Sequence, residues 1–336
     1  MEWRRGTYPG RVTAMNGPVV AGVTDDGSGF IAGLIDAGDA LVLDEIRLDA
    51  DGVLAVGGIE TTFLTGRDPE GTLRMWSVEE FYVNAQDLAA GELDDEEPLI
   101  EEIELPEHYT WAASVATERD DFMLAMTGRA ETTQVEVRVL YALDLPVLDQ
   151  HRHPAAPGLL GGRPVVAHRA KQPVWVVTDA GVCWSDPWLL DEMQDEVHWS
   201  DVDLPAGMVA TYAAVGMKGW LGGWAPGADG DRPVLVRHGR GTEPEVVPAP
   251  VTRLRPDAAG PRVLLLEPDR LDDMPAMVTA SVDGNALWFP DAAEDGGWAR
   301  VAVPDGDGPL WAAGSGAGWV GVIIGTSVWV AHHPNG

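Results

Sequence analysis

His151 and His153 are the first residues whose type and spacing could do chemistry. Two imidazoles at i, i+2 lie on one side of an extended strand and could grip a single metal ion. No third ligand accompanies them: the chain has one cysteine, Cys183, and no His-Glu-x-x-His run. His332 and His333 are adjacent, so in a strand they point to opposite sides. Both pairs are expected to be satisfied or exposed, and no metal ligand set is nominated. Acid-rich turns at Asp25-Asp26-Gly27-Ser28, Asp229-Gly230-Asp231 and Asp305-Gly306-Asp307 could hold calcium. None continues into the long loop closed by a glutamate that a strong calcium signal requires, so they are expected to be ordinary turns. Gly-x-Ser-x-Gly, a phosphate-binding loop and a dinucleotide fingerprint are all missing, so no catalytic residue is nominated and no cofactor is expected.

The densest chemistry is charge. Three segments, 77–99, 185–198 and 289–297, concentrate carboxylates. The first holds Glu79, Glu80, Asp87, Glu92, Asp94, Asp95, Glu96 and Glu97; the second holds Asp186, Asp191, Glu192, Asp195 and Glu196; the third holds Asp291, Glu294 and Asp295. With Phe81, Tyr82, Trp188 and Leu189 as apolar anchors, they form a candidate surface for a protein partner that is itself basic. The alternative is that a chain of net charge −32 puts acid in every loop, and that these aromatics only dock the inserts.

Whole-chain composition narrows the partner further. The chain has 336 residues, with 54 Asp and Glu against 22 Lys and Arg; Lys171 and Lys218 are the only lysines. Such a surface repels phosphate backbones and anionic headgroups, which argues against nucleic acid and membranes as partners. Cys183, between Val182 and Trp184 in an apolar strand pattern, is expected to be a buried, inert thiol. A lone cysteine, no apolar leader in MEWRRGTYPG and no long apolar run together lead to an expected cytoplasmic location.

The elements that position these residues come from a repeat. A phrase of the form apolar-x-x-apolar-x-apolar-Pro starts at 3, 43, 100, 148, 199, 242 and 298. Its clearest copies are Trp3–Pro9, Ile100–Pro106, Trp199–Pro205 and Trp298–Pro304; weaker ones are Leu43–Asp49, Leu148–Pro154 and Thr242–Pro248. A period near ~48 residues, with short strands and Gly-rich turns, predicts a β-propeller. The phrase is the fourth strand of each blade, half-buried by alternation and ended by a proline on an edge. Second and third strands form hairpins at 62–76, 174–184, 277–288 and 318–329, each turned by Asp or Gly and three of them closing on a Trp of the third strand, Trp76, Trp184 and Trp288, as the last does on Trp329. The remaining hairpins are expected within 17–35, 121–142 and 218–238.

The expected fold is therefore all-β: a seven-bladed propeller in one domain, 1–336. Its blades span approximately 10–49, 50–106, 107–154, 155–205, 206–248, 249–304, and 305–336 with 1–9. The last blade lacks a fourth strand after Trp329, so the N-terminal strand should pair into it and close the ring. The acidic segments follow third strands and should emerge together on one face. Ser77-Val78-Glu79-Glu80 reads as a capping box for a short helix over about 78–90. Ser185-Asp186-Pro187 reads as the start of one or two helical turns over 188–194.

The run Thr65–Val78 (TGRDPEGTLRMWSV) resembles the core of a WD40 repeat, and Trp184-Ser185-Asp186 and Trp288-Phe289 echo it. The chain departs from that family in having no Trp-Asp dipeptide and no Gly-His pair. Ser281-Val-Asp283-Gly-Asn285-Ala-Leu-Trp288 and Val177-Thr-Asp179-Ala-Gly181-Val-Cys-Trp184 resemble the Asp-box of sialidase-like propellers more weakly. Both resemblances imply the propeller fold and carry no function across. The expected function is a non-catalytic interaction scaffold, as a component of a larger assembly; the rival is a carbohydrate-active propeller (glycoside hydrolase or lectin) with its ligand over the central channel. Sialidase-type catalysis would need three convergent arginines and a Tyr–Glu nucleophile, and the spacing of Arg163-Pro164, Arg232-Pro233 and the tyrosines assigns none of them.

Overall fold

In a computed structural model the chain is described except at 35–39, 51–52, 54, 58–61, 79–98, 104–110, 117–122, 130–133, 140–148, 153–164, 168–174, 179–180, 186–198, 216–217, 240–241, 257, 259, 268–273, 292–296, 307, 317 and 334–336. Strands dominate because the chain is a succession of short β-branched and aromatic runs broken by Gly, Asp and Pro. The fold is an all-β propeller of four-stranded antiparallel sheets, and no helix occurs among the described residues. No described helix is long and apolar enough to cross a membrane.

By contact the chain groups into two compact units. One comprises Met1–Ala130, Gln134–Gln150 and Ala312–Gly336 and holds the bulk of four sheets. The N-terminal strand β1 (Arg4–Arg5) belongs to the last of these. The next sheet joins β2 (Gly10–Asn16), β3 (Val19–Thr24), β4 (Ser28–Gly33) and β5 (Leu41–Arg47). Another joins β6 (Ala55–Gly57), β7 (Thr62–Arg67), β8 (Leu73–Val78) and β9 (Ile100–Ile103). A third joins β10 (Trp111–Ala116), β11 (Met123–Arg129), β12 (Gln134–Val139) and β13 (Asp149–Arg152).

The other unit, Glu131–Thr133 with His151–Trp311, holds three sheets. They are β14 (Val165–Ala167) to β15 (Trp175–Thr178), β16 (Gly181–Ser185) and β17 (Trp199–Asp201); β18 (Val209–Val215) to β19 (Gly219–Ala225), β20 (Arg232–His238) and β21 (Glu245–Val247); and β22 (Val263–Leu265) to β23 (Met277–Ser281), β24 (Gly284–Asp291) and β25 (Gly297–Ala302). The first unit is completed by β26 (Leu310–Gly316), β27 (Trp319–Ile324) and β28 (Ser327–His332), which take β1 as their fourth strand in the order β1-β28-β27-β26. Each sheet falls within one interval marked out by the repeated phrase.

The N-terminal pairing expected from the missing fourth strand is present. Arg4 stands opposite Val330 and Arg5 opposite Trp329, and the Gly6 amide donates to Val328 O at 2.9 Å. Tyr8 then ties the segment to the following sheet, donating to Leu34 O at 2.8 Å and stacking on Phe30 at 6.5 Å.

Burial follows strand position. β3 and β4 are buried almost throughout, while β5, β21 and β25 alternate and are largely exposed, as edge strands must be. Between neighbouring sheets of the first unit, Val19, Ala21, Val23, Ile31, Leu43 and Ile46 pack with Leu64, Trp76 and Val78. In the second unit Trp175, Val177 and Val182 pack with Ala213, Val215, Leu221 and Val236, and Ala214, Trp220 and Leu235 pack with Leu254, Val263, Met277 and Trp288.

Two first strands carry a matching bulge, where the register skips Thr13 in β2 and Thr211 in β18. The Thr211 hydroxyl donates to Val263 O at 2.8 Å and so joins its sheet to β22. The Thr13 hydroxyl is buried without a partner. Thr211→Val should cost about 1–2 kcal/mol in urea unfolding, because it leaves a buried carbonyl short of a donor. Thr13→Val should be neutral or slightly stabilising; equal losses at the two positions would refute the distinction.

Three expectations are corrected. Ser77 does not cap a helix: with Val78 it completes β8, opposite Glu101 and Ile100 of β9. Ser185 likewise ends β16, opposite Trp199. The local capping pattern yields to ladder hydrogen bonds in both cases, because a fourth strand is available to pair. The helices expected beyond those serines fall on 79–98 and 186–198, outside the described residues. The third acidic insert is narrower than 289–297, since β24 runs to Asp291 and pairs it with Gly297 of β25, and 292–296 lie outside the described residues.

Candidate binding surface

Each second and third strand form a hairpin whose two ends differ chemically. The turn end carries acid and glycine. Gly27, Gly71, Gly230 and Gly284 take φ of 88°, 85°, 120° and 96°, a left-handed conformation that glycine adopts without strain. Asp26 accepts from the Thr24 hydroxyl and the Ser28 amide and lies 3.6 Å from Arg47. The Thr24 hydrogen bond, helped by those from Ser28, holds its carboxyl at about 2. Asp68 accepts from the Thr72 amide at 2.7 Å and from Arg74 at 3.0 Å, and Arg74 reaches on to Glu102 at 2.9 Å. Asp231 takes Arg262 at 2.6 Å, with that guanidinium 3.9 Å from the centre of the Trp224 ring. The Asp25–Ser28 and Asp229–Asp231 runs are therefore braced turns whose carboxylates engage hydroxyls, amides and arginines. In the Asp-box-like stretch, Ser281 Oγ donates to Gly284 O at 2.6 Å, and Trp288 Nε1 donates to Thr279 Oγ1 at 2.9 Å. These bonds fasten a hairpin.

The open end of the hairpins carries the indoles. Trp175 begins β15 opposite Trp184 of β16; Trp319 begins β27 opposite His332; Trp220 lies opposite Arg237, and Met277 opposite Trp288. Arginines cover three of these rings: Arg4 over Trp319 at 4.6 Å, Arg237 over Trp220 at 5.9 Å and Arg300 over Trp288 at 5.9 Å. Arg237 is itself held by Glu245 at 2.5 Å. His332, exposed, stacks on Trp319 at 3.8 Å.

The cluster in the second unit differs. Trp175 and Trp184 meet at 6.0 Å, and both face His238 of β20, at 5.3 Å and 5.5 Å. Gly219 makes the close approach possible, since a Cβ there would lie 2.1 Å from Trp175 Cζ2. Trp175 is 1% exposed and His238 8%, while Trp184 is half-buried. Trp175 Nε1 and His238 Nδ1 are both buried without a hydrogen-bond partner. Sequence reasoning placed Trp175 and Trp184 in one hairpin but did not single out His238. Its contact crosses between sheets, and only the glycine opposite a strand-end histidine hinted at it.

Burial holds the His238 imidazole below its ordinary 6.5. The unfolded chain therefore binds the proton more readily. This group's share of stability is intact above about pH 6.5 and is lost as pH falls through the folded value. Urea midpoints should drop between about pH 7 and about pH 5, and should drop less in His238→Phe. Parallel pH profiles for the two proteins would exclude His238 as a source. Cys183 is buried as expected, and burial pushes its thiol up, well away from reactivity.

Apart from Asp291, the last residue of β24, the expected partner surface lies outside the described residues: Glu79, Phe81, Tyr82, Asp94, Asp95, Glu96 and Glu97 in 79–98, Asp186, Trp188, Asp191 and Glu192 in 186–198, and Glu294 and Asp295 in 292–296. The described strand ends that flank them are Val78 and Ile100 for the first connection and Ser185 and Trp199 for the second. His151 lies within β13, which ends at Arg152, and His153 lies outside the described residues.

No family model matches the chain, and no curated protein matches it. Solved structures do. The chain is similar to the BP39L lectin of Burkholderia pseudomallei, at 13% identity and a TM-score of 0.56 over 98% of this chain and 97% of that one. It is also similar to virginiamycin B lyase of Staphylococcus aureus, at 7% identity and a TM-score of 0.55 over 98% and 99% of the two chains. At these identities the likeness is one of fold, and the resemblance to WD40 and Asp-box repeats extends no further than that.

Proposed function

We propose that this chain is a non-catalytic interaction propeller whose acidic connections hold a protein partner with a basic surface. The observation that carries the reading is where acid stands in the sequence with no basic residue beside it. The connection after β8 brings Glu79, Glu80, Asp87, Glu92, Asp94, Asp95, Glu96 and Glu97 without one Arg or Lys, and the connection after β16 does the same with Asp186, Asp191, Glu192, Asp195 and Glu196. In the sheets, by contrast, Asp68, Asp231, Glu102 and Glu245 are each matched by an arginine. Charge of one sign beside Phe81, Tyr82 and Trp188 suits capture of a cationic surface, with long-range attraction speeding the encounter and the rings anchoring it. A cytoplasmic location belongs to the same proposal and rests on the single, buried thiol.

The test is a variant of the full chain with Asp94→Asn, Asp95→Asn, Glu96→Gln and Glu97→Gln. A partner recovered with the wild-type protein should bind this variant about tenfold more weakly or worse, and with a flatter dependence on salt. An unchanged affinity and salt slope would rule the acidic connection out.

The second reading is a carbohydrate-binding propeller. Two observations favour it: the likeness in fold to a lectin, and the aromatic strand ends with their unpartnered polar atoms.

A further inference from the structure

Asn16 ends β2, Val19 opens β3, and the two stand opposite each other, so Gly17 and Pro18 alone make the turn. Pro18 holds its own φ near about −65° and Gly17 takes a φ of 52°, a combination that makes a type II′ turn. In that turn the first central amide points away from the ladder, so the hairpin does not use the Gly17 N–H. Room surrounds it as well: beyond its chain neighbours, a Cβ on Gly17 would find only Ser315 O among the described residues within 4 Å, at 3.9 Å. Asn16 itself is exposed. A side-chain amide followed by a glycine nitrogen with no Cβ beside it places an electrophile and a nucleophile one bond short of a five-membered ring. The other described asparagine, Asn285, has none of these freedoms. It is 5% exposed, its Oδ1 accepts from Arg255 Nη2 at 3.5 Å, and Ala286 after it is buried in the ladder between Thr279 and Ala302.

We propose that Asn16–Gly17 is a site of spontaneous deamidation, with water as the only co-reactant. The Gly17 nitrogen attacks Asn16 Cγ, the Cγ–Nδ2 bond breaks, and ammonia leaves with the proton that the Gly17 nitrogen gave up. Water then opens the cyclic imide at either of its carbonyl carbons. One opening leaves an ordinary aspartate; the other leaves a main chain that runs through the side-chain carbon and is one methylene longer. Nothing is oxidised or reduced. The site lies where three strands meet. The Leu34 amide donates to Pro18 O at 2.8 Å, and Gly314 and Gly316 of β26 pack against Gly17 O and the Pro18 ring. A longer main chain cannot keep both the Asn16–Val19 pairing and the Leu34 bond, so the reaction adds a negative charge and loosens this hairpin as the protein ages. The inference is independent of the protein-partner and carbohydrate readings.

The test incubates the full chain at mildly alkaline pH, folded and in parallel unfolded in urea, and follows it by tryptic mass spectrometry. Peptide 12–47 carries Asn16 as its only asparagine, and peptide 271–300 carries Asn285. In the folded protein, peptide 12–47 should gain the mass of an amide turned to an acid and split into two isomers. The rate should rise with pH, because the attacking nitrogen must lose its proton, and should lie within about tenfold of the rate in urea. Peptide 271–300 should stay unchanged over the same period. Asn16→Gln, whose imide would need a six-membered ring, should hold peptide 12–47 at constant mass. Aged wild type should unfold at a lower urea concentration than fresh protein, and aged Asn16→Gln should not. A folded rate slower than that window would overturn the proposal, because the hairpin would then be keeping the two groups apart. Full conversion with an unchanged midpoint would overturn the loosening of the hairpin.

Discussion

Deleting residues 1–9 is expected to lower stability by about 4 kcal/mol or more and to make the protein self-associate. The loss comes from several places together. The pairs Arg4–Val330 and Arg5–Trp329 go, with the Gly6 bond to Val328 O. Tyr8 goes too, and with it the 2.8 Å bond to Leu34 O and the ring contact with Phe30. β28 becomes a bare edge carrying buried Val328, Val330 and Ala331, an open template for another strand. Tyr8→Phe separates these contributions: it removes one hydrogen bond and should cost only about 1 kcal/mol. Urea titration with sedimentation velocity checks both effects. A truncated chain that stays monomeric with a wild-type midpoint would show that the terminal strand contributes nothing.

Gly219→Ala is expected to be nearly as damaging, at about 3 kcal/mol, from the addition of one methyl group. The new Cβ would sit 2.1 Å from Trp175 Cζ2 and 2.3 Å from Cε2, and the opposing atoms belong to a rigid, fully buried ring. Trp175 must then tilt out of its slot, forfeiting much of what truncating a buried Trp would cost. Trp175→Phe in the Gly219→Ala background should recover part of the loss, giving a coupling of about 1 kcal/mol or more in a double-mutant cycle. Strict additivity of the two substitutions would mean that glycine is tolerated there, not required.

The sheets were legible because their signals are local. Asp-Gly turns at 26–27 and 283–284 set hairpins, and the fourth-strand phrase sets where each sheet ends. The N-terminal pairing was legible because a sheet with a missing strand and a strand with a missing sheet appeared at opposite ends of one sequence. Ser77 and Ser185 misled for the converse reason: a helix-start pattern is equally local, and it yielded to Glu101 and Trp199 waiting across the ladder. The packed cluster around His238 was illegible because no short window contains it. Trp175, Trp184, Gly219 and His238 meet only when two sheets pack, and neither the indole spacing nor the histidine distinguishes that contact from ordinary core.

The outermost strands of several sheets are brief: Arg4–Arg5 in one, Trp199–Asp201 in another and Glu245–Val247 in a third. A stray extended peptide laid along such a rim finds two or three backbone positions to grip before the chain turns away. A surplus of 32 negative charges adds repulsion between copies at low salt. Backbone pairing with another chain is thereby disfavoured along these three strands.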